Sequence, residues 1–308
     1  MKKLVLALLV VAFLISSTAM AADKIVIGLT LPSLSHPFFV FLQKNVMDEA
    51  KKLGVEVIAI DAENVAAKQM SIVEDFIAKK VSGVLMSPIG EDALVPAVEA
   101  LNAAKIPVAT VDRRVSGGNV LVHVGADNVE GGRVAARFII EKLGGKGNVI
   151  ELEGTPGASP AIDRKKGFDE VIATSQIKIL ASQTAKFQRA DGQSVMENLM
   201  QAHKDFQGVF GANDEMILGA TEAMLAAGVD LSKVVTIGYD AIPDALAYIK
   251  DGKLDATIEQ FPGEQAKKAL QFLVDFIKDG KQPPSKEVYI TPVAIGASNL
   301  DKAEHKVE

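Results

Sequence analysis

The chain has 308 residues, with 33 lysine and arginine against 39 aspartate and glutamate, and a net charge of −6. At 48% hydrophobic and 23% charged it has the balance of a packed globular protein, and a length of roughly 100–200 residues per domain makes two domains. Its acidity argues against a general nucleic-acid binder, and the lack of cysteine and tryptophan excludes disulfides, thiolate metal sites, a cysteine nucleophile and any indole platform.

The first 21 residues read as a secretory signal peptide. Lys2 and Lys3 form a basic start, Leu4 to Ile15 is apolar throughout, and Ala19-Met20-Ala21 fits an A-x-A cleavage site. The apolar run is shorter than the roughly 20 residues that a spanning helix needs. No cysteine follows it, so a lipid anchor on cysteine is excluded. Losing the two signal lysines takes the net charge from −6 to −8. The expectation is an exported, acidic protein, in the periplasm where the source cell has one.

Strands and helices then alternate. Lys24–Leu31 reads as a strand, Pro37 to Leu53 as a helix, and Val55–Asp61 as a strand. A helix carries Met70, Val73, Phe76 and Ile77 at helical spacing. Gly83–Ser87 is a strand, Asp92–Ala104 a helix and Pro107–Asp112 a strand. Leu121–Gly125 leads into a helix over Asn128 to Leu143. The second half repeats the rhythm. Strands are expected at Asn148–Glu153, Ile177–Gln183, Gly208–Ala212, Val234–Tyr239 and Lys253–Gln260. Helices are expected at Pro160–Ser175, Arg189–His203 and Asp214–Ala227, and around Ala266, Leu270, Leu273 and Ile277. Apolar strands alternating with amphipathic helices indicate α/β architecture, with parallel sheets covered on both faces. About ten strands divide into two doubly wound lobes.

In open α/β sheets a ligand binds beyond the carboxyl ends of the strands. The unusual polar and aromatic residues fall there. His36, Phe38 and Phe39 follow the first strand, Ser87 the third, and Asp112 and Arg113 the fourth. In the second half come Arg164, Phe187, Asn213, Tyr239, Asp240 and Gln260. The kit suits a neutral polyhydroxylated ligand. Aspartate accepts hydroxyl protons, arginine donates through a planar fork, and amides do both. Phenylalanine rings cover the apolar C–H faces of a sugar ring. Each residue also has an ordinary use. Phe38 and Phe39 could be core, Asp112 and Arg113 an ion pair, Asn213 a helix cap, and Asp240 a cap or a turn before Pro243. Arg113 and Arg114 are adjacent on an extended segment, so they point opposite ways.

These residues sit in segments that resemble the ribose-type periplasmic sugar-binding proteins, the type I solute receptors of ABC importers. The marks are HPFF at 36–39, TVDRR at 110–114, DNVEGG at 127–132, ASQTAKF at 181–187, NDEMILGA at 213–220, IGYDAIPD at 237–244 and ATIEQ at 256–260. The resemblance runs from Lys24 to Val293. It implies two similar lobes joined by three crossovers near Asp127, Gln260 and Tyr289. The lobes are then 22–126 plus 261–289, and 127–260 plus 290–308, with a monosaccharide held between them. It implies that His36, Phe38 and Phe39 grip the sugar, that Asp112 and Arg113 bind its hydroxyls, and that Arg164, Phe187, Asn213, Asp240 and Gln260 complete the site. Four positions depart from the ribose pattern. His36 and Ser87 stand where asparagine is usual, Thr155 replaces an aliphatic residue, and Tyr239 replaces phenylalanine.

The reading is therefore a non-enzymatic, monomeric receptor without cofactor or metal. Its partners are a sugar, an inner-membrane ABC permease and, as a further candidate, a chemoreceptor. Ribose or another aldopentose leads; allose, galactose, a polyol or a furanosyl signalling molecule are the alternatives. A sugar-sensing transcription regulator would carry a helix-turn-helix where the apolar signal stands. A dinucleotide-binding enzyme would carry G-x-G-x-x-G after the first strand, where Gly28–Phe38 has none. Gly144-Gly145-Lys146-Gly147 looks like a phosphate loop but follows a helix, and reads as a turn. The four histidines lack zinc-ligand spacing, and no G-x-S-x-G elbow is present.

Overall fold

The computed structural model describes residues 24–306. The signal peptide read at 1–21 lies outside the described residues. In the first half, β1 (Val26–Leu31), α1 (Pro37–Leu53), β2 (Glu56–Asp61), α2 (Ala66–Ala78), β3 (Gly83–Met86), α3 (Val95–Ala103), β4 (Val108–Val111) and β5 (Val122–Ala126) alternate. Then follow α4 (Asn128–Leu143), β6 (Lys146–Glu153), α5 (Ser159–Ile172), β7 (Gln176–Thr184), α6 (Arg189–Ala202), β8 (Gly208–Gly211), α7 (Asp214–Ala226) and β9 (Val235–Ile237). The chain closes with α8 (Pro243–Lys250), β10 (Ala256–Glu259), α9 (Pro262–Asp279), β11 (Glu287–Ile290) and β12 (Val293–Gly296).

Local chemistry sets the helix limits. His36 caps α1, whose first residue is Pro37, and Gly54 ends it in the left-handed conformation at φ 67°. Asp127 caps α4 by accepting from the Glu130 N–H at 2.9 Å. The glycine run after α4 is the turn its composition suggests, with Gly144 at φ 65° and Gly145 at φ 80°.

Two six-stranded sheets result. One runs β11-β5-β4-β3-β1-β2 and the other β12-β10-β9-β8-β6-β7, the same winding order twice. The central strands β3, β4, β5, β8 and β10 are buried at every position, because helices cover both faces. The first sheet is wholly parallel. The second departs from the all-parallel expectation: β12 pairs antiparallel with β10. β12 runs straight on from β11 across two residues, so no crossover helix sets its direction.

The chain passes between the sheets three times, after β5, after β10 and after β11. The third passage lies at 291–292, just beyond Tyr289, which is inside β11 and opposite Gly125. Helix α8 and strands β11 and β12 are not apparent in the sequence pattern. α8 spans only eight residues and opens directly after the Asp240 turn, while β11 and β12 are four residues each in a proline-rich stretch.

Close backbone packing holds the second lobe's cleft helix. A Cβ on Gly132 of α4 would lie 2.1 Å from the Arg164 carbonyl oxygen of α5. The two helices therefore touch backbone to backbone, and that contact sets where Arg164 begins.

Candidate functional site

The carboxyl ends of both sheets meet around a cavity with about 250 Å3 of empty space. From the first lobe it is lined by His36, Phe38, Phe39, Asp112 and Arg113. From the second come Pro160, Arg164, Phe187, Asn213 and Asp240, with Gln260 from the second crossover. Every one of the polar residues among these is buried.

Two sequence-predicted residues are not in the lining. Ser87 lies behind Asp112 and donates its hydroxyl to Asp112 Oδ2 at 3.2 Å. Tyr239 lies behind Arg164, whose guanidinium stacks on the Tyr239 ring at 3.5 Å. Its hydroxyl is buried without a hydrogen-bond partner among the described residues. Both side chains therefore reach the cavity only through another residue. Thr155 does not line it either, and donates to the Lys186 carbonyl at 2.9 Å. Pro160 is the lining residue that the sequence reading missed, since proline at a helix start already has a structural explanation.

Three lining residues hold an unusual backbone. Asp112, Phe187 and Asp240 have φ of 64°, 62° and 113°. Non-glycine residues rarely adopt positive φ, and such strain collects at functional sites. Here it turns each side chain off its strand end into the cleft. Phe187 needs a further allowance. A Cβ on Gly154 would fall 2.1 Å from the Phe187 ring, so only glycine fits beneath it.

The aromatic groups form a cradle. Phe38 and Phe39 meet edge to face at 5.1 Å. Arg113 lies over Phe39 at 5.3 Å and over Phe187 at 5.5 Å. His36 and Asn213 meet across the lobes, Nε2 and Nδ2 standing 2.8 Å apart; a neutral ring that accepts at Nδ1 carries its proton on Nε2, so this is a contact between two donors and not a hydrogen bond. Each also caps its own helix: His36 Nδ1 accepts from the Phe38 N–H at 3.2 Å, and Asn213 Oδ1 from the Met216 N–H at 3.0 Å. The ordinary use and the site position thus coincide in Asn213. Burial first, and then Arg113, Arg164 and Arg189, lower the His36 pKa to about 3, so its ring is neutral.

The charged groups pair loosely. Arg113 Nε stands 3.7 Å from Asp112 Oδ2, and Arg164 Nη1 stands 3.6 Å from Asp240 Oδ1. Arg164 is otherwise fixed, donating to Asn128 Oδ1 at 2.8 Å and to the Ala212 carbonyl at 2.7 Å. Arg113 Nε is buried with no hydrogen-bond partner among the described residues. Burial raises the Asp112 pKa and takes Asp240 up to about 7, although Gln260 donates to Asp240 Oδ1 at 2.6 Å. Two acceptors and two guanidinium groups therefore face the cavity short of full partners. A neutral molecule with several hydroxyls can satisfy both kinds at once.

The rim is closed by a second set of interlobe bonds. Arg114 turns away from the cavity, as its neighbour's direction requires, and forms a bidentate pair with Asp163 while also holding Glu91. Its backbone N–H donates to Ser159 Oγ at 3.0 Å, and the Glu91 N–H to the Gly157 carbonyl at 2.8 Å.

A family model described as the periplasmic binding protein domain matches residues 27–282. The chain belongs to that family. Among curated relatives it is 46% identical to the ribose import binding protein of Bacillus subtilis over 256 residues, covering 83% of this chain and 82% of that one. It is 40% identical to the ribose import binding protein of Escherichia coli, covering 91% and 94%. Among solved structures, the Caulobacter myo-inositol binding protein bound to myo-inositol superposes with a TM-score of 0.88 at 37% identity, covering 92% of this chain and 97% of that one. These relatives are binding proteins and not enzymes, and the two-lobed α/β fold is that of the family.

Proposed function

We propose that this chain is the solute receptor of an ABC sugar importer, capturing a monosaccharide, D-ribose first, and presenting it to a membrane permease. The observation that carries the reading is the cavity. It is small, it is lined from both lobes, and it sets two aspartates and two arginines, Arg113 Nε among them without a partner, beside phenylalanine faces. Two ribose import binding proteins among the relatives support ribose as the first candidate. In this reading Asp112 and Asp240 accept from sugar hydroxyls, and Arg113, Arg164, Asn213 and Gln260 donate to sugar oxygens. Phe38, Phe39 and Phe187 cover the ring, and His36 closes the edge. Ser87 and Tyr239 act through Asp112 and Arg164.

Two lobes divided at 126/127, 260/261 and 290/291 would rotate about the three passages to admit the ligand. A ligand held by both lobes favours the closed arrangement, because only there are all its contacts made. The protein would work in the periplasm as a monomer after removal of residues 1–21. A chemoreceptor remains a further candidate partner.

A second reading is a cyclic polyol. Similarity to the myo-inositol binder favours it. Calorimetric and thermal-shift titration with D-ribose, D-allose, D-galactose and myo-inositol decides. A ligand at 100 times its dissociation constant stabilises the folded state by about 2.7 kcal/mol. A response to ribose alone supports the first reading and one to inositol alone the second. No response to any of the four overturns both.

A further inference from the structure

The second passage between the lobes is wired to the cavity. Gln265 lies in the first turn of α9, fully buried. Its Nε2 donates to the Gln260 carbonyl at 2.7 Å and reaches Gln260 Oε1 at a longer 3.4 Å. Gln260 Nε2 donates in turn to Asp240 Oδ1 at 2.6 Å. Both groups of Gln260 that Gln265 touches are oxygens, so the amide donor of Gln265 must face them. This leaves the Gln260 N–H side free for Asp240 and the cavity. Between the two glutamines stands Phe261, held in the left-handed region at φ 57°.

We infer that Gln265 is a positioning residue for ligand capture. From the first lobe's α9 it fixes the carbonyl and the amide of Gln260, and so sets the donor that Gln260 presents to Asp240 and the ligand. The inference rests on the reading of this cavity as the sugar site. Gln265 Nε2 satisfies the buried Gln260 carbonyl, but its amide oxygen is not balanced in the same way. Gln265 Oε1 is buried without a partner among the described residues, which costs free energy that an apolar side chain would not. Its neighbours on the buried stripe of α9, Ala266, Ala269 and Leu270, are apolar. The gain from the glutamine therefore lies in where it holds Gln260.

The test compares the wild-type mature protein with Gln265→Met and Gln265→Glu. D-ribose is titrated calorimetrically at about pH 8 and about pH 5, on either side of the Asp240 midpoint of about 7. Asp240, Arg164, His36, Glu259, Glu264 and Glu304 all border this passage, so each variant is read as a ratio to wild type at the same pH. Gln265→Met removes the donor and should weaken ribose binding about tenfold at both pH values, beyond what a modest fall in unfolding temperature from the unpaired Gln260 carbonyl accounts for. In Gln265→Glu the introduced carboxylate faces two oxygens at pH 8, and binding should be weaker still. At pH 5 it gains a proton, can donate again, and the ratio should recover towards that of Gln265→Met or better.

A Gln265→Met protein that binds ribose as wild type does, or that loses binding only in step with unfolding temperature, overturns the inference. Should wild type give no heat with ribose, the ribose reading fails on its own. Carboxyl carbon NMR of Asp240 without sugar then decides the role of Gln265. A higher midpoint in both variants supports it, since Asp240 has lost a fixed donor, and an unchanged midpoint overturns it.

Discussion

Replacing Asp240 by asparagine separates the cost of closing the cleft from the gain of binding. Asp240 is 3% exposed, and burial, offset in part by Arg164, raises its pKa from 3.8 to about 7. A carboxylate raised in this way binds a proton more tightly in the closed protein than in the unfolded chain. Its contribution is fully present below about pH 3.8 and is lost as pH rises through about 7. A rise of that size corresponds to about 4 kcal/mol. That is a ceiling for unfolding, because opening the cleft rehydrates the carboxylate first. Asp240→Asn keeps the shape and can still accept from Gln260, but it carries no charge. Without sugar, the variant should match wild type near pH 4 and exceed it increasingly towards pH 8, in unfolding temperature and in the closed fraction seen by small-angle scattering. With sugar the order reverses: the variant should bind about tenfold more weakly, because a charge-assisted hydrogen bond becomes a neutral one. Asp112, Asp214, Glu259 and Glu304 are also raised by burial, so the quantity to follow is the difference between variant and wild type. A difference that stays flat from pH 4 to pH 8 would refute the reasoning.

Arg113→Lys keeps the charge but loses the planar fork that bonds the Ile89 carbonyl at 3.2 Å and spans Phe39 and Phe187; calorimetry should show sugar binding at least about tenfold weaker in a protein of unchanged circular dichroism. Gly154→Ala places a methyl group where the Phe187 ring stands, so affinity should fall sharply while ultraviolet spectra of the fold persist; wild-type affinity would show that Phe187 moves freely. Arg114→Ala removes the rim pair with Asp163 without touching the cavity lining, and should weaken binding by about 1 kcal/mol through a less closed ligand-free state, measured by scattering and calorimetry together.

Much of this molecule is legible in its residue order. The alternation of apolar strands and amphipathic helices places β1 to β10 and most helices within a few residues, because strand burial on both faces and helix periodicity leave local marks. The cavity residues are legible for a related reason. A doubly wound sheet sends its chemistry to the carboxyl ends of strands, so polar and aromatic residues found there are the first candidates for the cavity. Nine of the eleven residues that line the cavity follow a strand end within the next turn, and the tenth one named from the sequence, Arg164, lies further along α5.

What the sequence cannot carry is distance between segments far apart in the chain. Ser87 and Tyr239 occupy strand ends like their neighbours, yet only packing decides that Asp112 and Arg164 stand between them and the cavity. The antiparallel β12 depends on where β11 delivers the chain, and α8 on a turn that hides its start. Gln265 reads as one more residue of an amphipathic helix; its partner Gln260 is only five residues away, but that Gln260 reaches Asp240, twenty residues back, is set by packing. Residue order thus determines which elements form and which chemistry lies at their ends, since these depend on neighbours within a turn or a strand. Tertiary structure decides which of those groups meet, because the hydrogen bonds and burial that tune them come from both lobes at once.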